Sequence, residues 1–294
     1  MSSDSKQAHR PGIDHLVLAV HDLDAAAELY RRLGFQVGDR NRHPWGTENR
    51  LVQFPGSFLE LITVADPSAI PPHEAGHFSF GAFVRDFLAE REGLAMVALD
   101  SIDAGQDATR FAQAGIGSFE PFSFEREGRQ PDGTATHVAF TLAFARDPAA
   151  PEAGFFACQH HFPENFWSES LQRHQNSATG LASVIMVAPE PGQHEHFLAS
   201  FANAEVAAVG SGLSCRLVRG RIDVMTEDDA AAMLGSISAP GARAALVAYS
   251  IGIPDLAIQA RRLAAAKIPF SQSAGRIVVP ASAAHGVAVV FVSP

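Results

Sequence analysis

Short runs of apolar residues alternate with amphipathic stretches along this chain, and the same order recurs four times. The first copy opens with the apolar run 16–20, continues as a helical pattern that ends at Gly34, and closes with a second apolar run at 58–62. A helix that stops at glycine before an apolar residue is typical of a helix that gives way to a strand. The pattern predicts a strand, a helix and further strands in each copy, and the copies open near residues 12, 96, 180 and 245.

The spacing of the copies predicts how they are grouped. Each copy takes about 50 to 70 residues, a length that supports two domains of two modules each. We therefore expect a disordered leader at residues 1–10, an N-terminal domain at 11–168 and a C-terminal domain at 179–294.

The strands predicted in the first copy are apolar on both faces, which is typical of strands with helices on one side and an enclosed cavity on the other. His15 stands near the start of one such strand and Glu60 in the middle of another. A buried glutamate is costly unless it is paired, hydrogen-bonded or bound to a metal. In the third copy Ser183 and Asp223 take these two places, so the first half is the candidate for a reaction site.

Composition and charge exclude several classes of partner. Hydrophobic residues make up 47% of the chain and charged residues 18%, which indicates a folded protein with a large core. The formal net charge of −10 argues against nucleic acid, because phosphate binding needs clustered Lys and Arg. No apolar run approaches the roughly 20 residues that span a bilayer, so no membrane partner is expected. Cys158 and Cys215 fall in different predicted domains, which argues against a disulfide framework and favours the cytoplasm.

Several segments resemble the vicinal oxygen chelate superfamily, which includes glyoxalase I, the extradiol dioxygenases, methylmalonyl-CoA epimerase and the bleomycin-resistance proteins. The resemblance rests on residues 15–26, 33–35 and 58–62, and residues 43–50 and 129–133 are similar to the glyoxalase-like branch. It covers residues 12–161 well and residues 180–294 only in architecture. It implies an α+β fold in which four βαβββ modules pair into two half-open barrels.

The resemblance also implies one divalent metal, held in the concavity by the first and last strands of each module. Carried over to this chain, the first module supplies His15 and Glu60. The second module has Leu94 where a histidine is often found, and its last strand places Gln159 opposite Glu60 with His161 on the same face. Such nitrogen and oxygen ligands suit Fe, Mn, Zn, Ni or Co. Glu60 and His161 are also the candidates for catalytic proton transfer.

Each of these residues has a structural alternative. A strand histidine among apolar residues is often a satisfied core residue, which applies to His15. A one-residue bulge would exchange His161 for its neighbour His160, and either could merely hydrogen-bond in the following loop. Cys158 is expected to pack, as free cysteine usually does.

Polar residues around the second strand are candidates for substrate binding in the resembling family. An arginine there could hold a carboxylate or enolate oxygen, although loop residues at these positions could equally be solvated. Arg126, Arg129 and Asp132 are expected to be structural, because Pro-Asp-Gly is a turn sequence. The candidates for substrate contact are Arg42, His43, Asn49, Arg50 and, from a later strand, His137.

Three functions are compatible with the sequence, and all take a small-molecule ligand. The first is a metal-dependent lyase, isomerase or epimerase of glyoxalase type that acts on a carbonyl or carboxylate by bidentate chelation and enolate stabilisation. The second is an Fe(II) dioxygenase of extradiol type, and the third is a metal-free binding or resistance protein. Buried Glu60 favours the first. The C-terminal domain, which lacks ligands, is expected to close the cavity or to form the surface of a homodimer.

Overall fold

The fold consists of two eight-stranded mixed sheets, one from each half of the chain, with helices packed against them. The computed structural model describes residues 9–129, 133–235, 237, 243–273 and 275–294. The predicted leader at 1–10 and the predicted turn at 131–133 lie partly outside these residues. The predicted α+β class and its four-module arrangement are confirmed.

The N-terminal sheet has the strand order β2-β3-β4-β1-β5-β8-β7-β6. Its elements are β1 (Ile13–Ala19), α1 (Leu23–Leu33), β2 (Asn41–Arg42), β3 (Thr47–Phe54), β4 (Ser57–Val64), α2 (Phe80–Glu90), β5 (Gly93–Ser101), α3 (Ala104–Gln113), β6 (Phe122–Arg129), β7 (Ala135–Ala145), β8 (Gly154–His160) and α4 (Pro163–Phe166).

The C-terminal sheet repeats this order as β10-β11-β12-β9-β13-β16-β15-β14. Its elements are β9 (Gly180–Val187), α5 (Glu195–Ala202), β10 (Val206–Val209), β11 (Gly212–Arg216), β12 (Arg221–Met225), α6 (Glu227–Leu234), β13 (Ala245–Gly252), α7 (Leu256–Ala265), β14 (Ser271–Ser273), β15 (Arg276–Val279) and β16 (Ala288–Val292).

Helix α1 shows how local sequence sets the element boundaries. The carboxylate of Asp22 caps the helix by accepting from the backbone N–H groups of residues 24 and 25. Gly34 ends it in the left-handed conformation at φ 101°, which glycine adopts without steric cost. The buried face between these caps includes Tyr30 and Leu33, so the helix packs its apolar stripe on the sheet.

The strands are apolar on both faces because each face borders a different core. Leu16 and Leu18 of β1 join a core that is continuous across both sheets. Val17 and Ala19 face a second core, on the concave side of the N-terminal sheet. Within the shared core, the buried hydroxyl groups of Tyr30 and Tyr249 hydrogen-bond to each other and so link the two halves.

The two modules of the N-terminal sheet meet where β1 and β5 pair in antiparallel fashion. His15 of β1 lies opposite Ala98 of β5. Each of these residues also pairs with a phenylalanine on the last strand of its own module. His15 pairs with Phe58 of β4, and Ala98 pairs with Phe156 of β8. This symmetry defines corresponding positions in the two modules.

The concave face of the C-terminal sheet is filled by aliphatic side chains, including residues of α6. Asp223 pairs with Ile185 as Glu60 pairs with Val17, so the correspondence of Asp223 with Glu60 holds in the register. The Asp223 carboxylate accepts from Ser214 and Arg221, each at 2.7 Å. Among the described residues, no helix is long and apolar enough to cross a membrane.

Candidate functional site

His15 and Glu60 face each other on the concave side of the N-terminal sheet. Glu60 lies two residues beyond the β4 residue that pairs with His15, so the two-residue period of a strand puts both side chains on one face. Nε2 of His15 is 3.9 Å from Oε2 of Glu60, and only 5% and 6% of these residues are exposed. The structure therefore brings together the two polar residues that the first module was expected to supply.

Asp14 binds the ring nitrogen of His15 that lies away from Glu60. A register shift in the pairing with β5 lies at Asp14, next to His15. Oδ2 of Asp14 lies 2.6 Å from Nδ1 of His15, and Oδ1 lies 3.2 Å from Nε2 of His160. Burial acts to raise the pKa of Asp14, but attraction to His160 and hydrogen bonds from both histidines hold that pKa well below its usual value. An ionised carboxylate at Nδ1 keeps the proton there and leaves Nε2 of His15 directed at Glu60.

The Glu60 carboxylate is held by an amide on its other oxygen. Nδ2 of Asn49 donates to Oε1 of Glu60 at 2.5 Å. Burial raises the pKa of Glu60, against the opposing effects of His15, Asn49 and Arg126. With Oε1 occupied by the amide, Oε2 is the oxygen that faces His15.

His43 is a second imidazole beside Glu60. Its Nε2 lies 4.0 Å from Oε1 of Glu60, and its Nδ1 lies 2.8 Å from Oγ1 of Thr47. The ring stacks on Trp45 with centroids 4.6 Å apart. Burial, and then the charge of Arg126, lowers the pKa of His43 to about 3, so the imidazole is neutral at pH 7. His43 also borders a wider, open groove of about 710 Å³ that runs past β2.

Strand β8 directs Cys158 and His160 toward the concave side. Cys158 lies two residues beyond Phe156, so it occupies in the second module the position that Glu60 occupies in the first. Donor atoms of Asp14, Cys158 and His160 all lie within 4.8 Å of one another. Nδ1 of His160 is buried and has no hydrogen-bond partner among the described residues.

Gln159 and His161, the expected ligands from this strand, lie outside the cavity. Oε1 of Gln159 accepts from the backbone N–H of Ala104 at 3.0 Å, at the start of α3. Nε2 of His161 lies 2.8 Å from Oγ1 of Thr141, on the exposed side of β7. A difference of one residue in register accounts for this placement, because such a shift moves every side chain of a strand to the other face.

Three of the residues expected to contact substrate also lie outside the cavity. Arg42 is largely exposed and its Nε lies 2.6 Å from the buried carboxylate of Glu48. Arg50 is bound by Asp24 and by the backbone carbonyl of residue 38, each at 3.1 Å. His137 is partly exposed beside glutamates 125 and 127 of β6.

The cavity itself is small and has mainly aromatic walls. Its volume is about 50 Å³, which admits a molecule of only a few heavy atoms. Phe58 stacks on the ring of His15 with centroids 4.2 Å apart. The polar residues that border it are His15, His43, Asn49, Glu60, Arg126 and Cys158.

Sequence reasoning missed two charged residues of this site. Asp14 has no periodic signal, because a local irregularity in β1 decides its direction. Arg126 was assigned to a structural hairpin, although the alternation of Phe122, Phe124 and Arg126 along β6 is the pattern of a strand with one face inward. That alternation could have identified Arg126.

Comparisons with known proteins identify the family of this chain. The sequence model described as "Glyoxalase-like domain" matches residues 13–202. No curated protein matches the chain.

Solved structures share the architecture at low sequence identity. A hypothetical protein from Staphylococcus aureus is 12% identical with a TM-score of 0.66, and the match covers 97% of this chain and 100% of that one. A mutant 4-hydroxymandelate synthase from Streptomyces coelicolor is 9% identical with a TM-score of 0.54, covering 97% and 93%. A Mn(II)-bound glyoxalase from Novosphingobium aromaticivorans is 11% identical with a TM-score of 0.53, covering 97% and 82%. These likenesses concern the fold.

Proposed function

Because the chain belongs to the glyoxalase-like domain family, within the vicinal oxygen chelate superfamily, we propose that it is a metal-dependent enzyme of lyase, isomerase or epimerase type. Its substrate is a small molecule with a carbonyl or carboxylate group. The observation that carries this proposal is the approach of His15 Nε2 to Glu60 Oε2 in a buried cavity. A buried carboxylate aimed at an imidazole nitrogen is costly unless a proton or a cation lies between them.

The donor set of this chain fits a divalent metal. Asp14 behind His15 supplies the carboxylate–histidine arrangement that orients metal-binding imidazoles. His160 offers a buried ring nitrogen that lacks a partner among the described residues. We infer that His15 and Glu60 would hold the ion together with His160, as a set of two imidazoles and one carboxylate. His160 has a donor atom within 4.8 Å of donor atoms of Asp14 and Cys158, and Cys158 borders the cavity of His15 and Glu60. His160 thus takes the role that the sequence gave to His161.

His15, Glu60 and His160 would hold a divalent cation, which would supply Lewis-acid polarisation of neighbouring substrate oxygens. The chain's own residues then orient the substrate and move its proton. Burial raises the pKa of Glu60, so its carboxylate is the group that can accept a proton from a bound molecule. Asn49 fixes Oε1 of Glu60, and the neutral ring of His43 lies 4.0 Å from that oxygen. The mainly aromatic walls favour a site with little water around the exchanging groups.

The same nitrogen and oxygen donors also suit Fe(II), so an oxygenase is the second candidate. A test for substrate-dependent uptake of O₂ separates the two. A metal-free binding protein of the drug-sequestering kind is disfavoured, because a cavity of about 50 Å³ is far below the several hundred Å³ that enclose a drug-sized ligand.

Elemental analysis of protein purified without added metal tests the proposal. We expect about one divalent ion per chain, and we expect the double variant His15→Ala, Glu60→Ala to lose it. The matched control is Ser183→Ala, Asp223→Ala, which removes the corresponding side chains from the C-terminal sheet and should leave the metal content unchanged. Equal metal content in both double variants, or none in the wild type, would refute the proposal.

A further inference from the structure

We propose that Arg126 binds the carboxylate of the substrate. The substrates of the enzyme are accordingly small 2-oxo or 2-hydroxy acids. This inference rests on the proposed function and makes it more specific. It assigns the carboxylate end of the substrate to β6 and the carbonyl or hydroxyl end to His15 and Glu60.

The position of Arg126 in the fold supports this assignment. On β6 it follows Phe122 and Phe124 at the two-residue spacing of one strand face, and these aromatic side chains pack in the core of the concave side. Arg126 pairs with Val138 of β7, which belongs to that core. The side chain of Arg126 accordingly borders the cavity that also contains His15 and Glu60.

The guanidinium group of Arg126 lacks a partner in the part of the chain that the structure describes. Among the residues that the structure describes, none forms a hydrogen bond with it or places a carboxylate oxygen within 4.0 Å of it. Glu60 and Arg126 both border the cavity, and Glu60 attracts Arg126 electrostatically although it lies beyond ion-pair distance. Arg40 and Arg50, in contrast, are bound by carboxylates.

Arg126 is half-buried at the edge of an apolar cavity, where an anionic ligand interacts with a guanidinium group more strongly than it does in bulk water. A carboxylate is the natural ligand, because its two oxygens match the planar fork of a guanidinium group. Arg126 and Glu60 both border the cavity, so a bound substrate could contact both residues. The small volume of the cavity restricts that bridge to a short acid whose carbonyl or hydroxyl carbon is adjacent to the carboxylate.

A purely structural role for Arg126 makes a different prediction. If it only offset the charge of Glu60, replacing it would change stability or metal content and would not change the preference for anions. The test therefore compares two probes of nearly equal shape, pyruvate and 2,3-butanedione, of which only pyruvate carries a negative charge.

The dissociation constants of both probes should be measured by titration calorimetry on the purified full chain, with metal content determined on the same samples. The wild type should bind pyruvate at least tenfold more tightly than butanedione. Arg126→Met should abolish that preference, and Arg126→Lys should retain part of it. Arg85→Met, which removes the same charge from an exposed ion pair with Asp86, should behave as the wild type.

Preference for pyruvate that persists in Arg126→Met overturns the inference, and so does a wild type without the preference. If Arg126→Met does not fold, Arg126→Lys decides the question, because an ammonium group keeps the charge but cannot reproduce bidentate binding. A preference weaker than that of the wild type supports the inference, and an unchanged preference overturns it. Metal content in the His15, Glu60 double variant decides the proposed function separately. If the protein binds no metal but pyruvate binding still depends on Arg126, the proposed enzymatic function is wrong and the protein is an anion-binding protein.

Discussion

Glu60 and Cys158 occupy corresponding positions in the two modules of the N-terminal sheet, so the cavity receives a carboxylate from one module and a thiol from the other. Burial, and then the charges of Asp14 and Glu60, raises the pKa of the Cys158 thiol well above its usual value. The thiol is therefore protonated and neutral in the metal-free protein. The site is asymmetric although the fold around it is nearly symmetric.

Replacement of Cys158 with glutamate should restore a symmetric pair of carboxylates. In the metal-free state the new charge would lie near Asp14 and Glu60, so we expect the melting temperature to fall. Added Mn(II) should then raise the melting temperature by more than it does in the wild type, because the ion offsets the repulsion. Differential scanning calorimetry with and without Mn(II) measures both effects. Cys158→Gln, which has the same size without the charge, is the control and should show no enhanced response.

Asp14 should govern metal affinity through His15. Asp14→Asn removes the charge that fixes the imidazole tautomer, and we expect a loss in affinity of about 10- to 100-fold. Competition with a chelator of known affinity provides the measurement. Asp147→Asn is the matched control, because Asp147 is also buried and its Oδ2 lies 2.6 Å from Nδ1 of His194, away from the cavity. Equal affinities in the two variants would show that Asp14 does not act on the metal.

The hydrogen bond between Tyr30 and Tyr249 should make a non-additive contribution to stability. Either single replacement with phenylalanine leaves one buried hydroxyl without its partner, at a cost of about 1–3 kcal/mol in the free energy of unfolding. The double replacement removes both hydroxyls and should cost less than the sum of the single effects. Urea unfolding of the four proteins measures the coupling, and strictly additive losses would contradict it.

The ion pairs of Glu152 should contribute stability that depends on pH. Hydrogen bonds from Arg91, and then from Arg243, lower the pKa of Glu152. The pKa of a glutamate in the unfolded chain is about 4.3. Because folding lowers this pKa, the ion pairs stabilise the protein above that pH, and the stabilisation is lost as the pH falls through the pKa of the folded state. Because the pairs are partly exposed, the loss in Glu152→Gln at pH 7 should be about 0.5 kcal/mol, and it should be smaller at pH 3.

Urea unfolding at the two pH values checks this expectation. Glu169→Gln serves as the control, since Glu169 forms a highly exposed pair with Arg173 and should show almost no effect at either pH. A loss in Glu152→Gln that is as large at pH 3 as at pH 7 would show that the charge of Glu152 is not its source.

Much of the fold could be predicted from the sequence because it depends on local patterns. The period of the apolar runs, the helix ends at glycine and the fourfold repeat all act over a few residues, and they define the modules and their order. His15 and Glu60 were identifiable for the same reason. A polar residue inside a strand that is apolar on both faces is buried at a cost, so its presence indicates a functional site.

The remaining site residues depend on how distant segments pair, which local patterns do not encode. Whether His160 or His161 faces the cavity depends on a single residue of register against β5, and strand propensity is the same for both choices. Asp14 reaches the site through a local irregularity in that pairing. Arg126 borders the same cavity as Glu60 because β6 of the second module and β4 of the first both line it. Arg42 and Arg50 instead pair with acidic groups outside the cavity. Only the tertiary structure determines these contacts. An arginine can pair with any carboxylate, and the fold decides which carboxylate lies close to it.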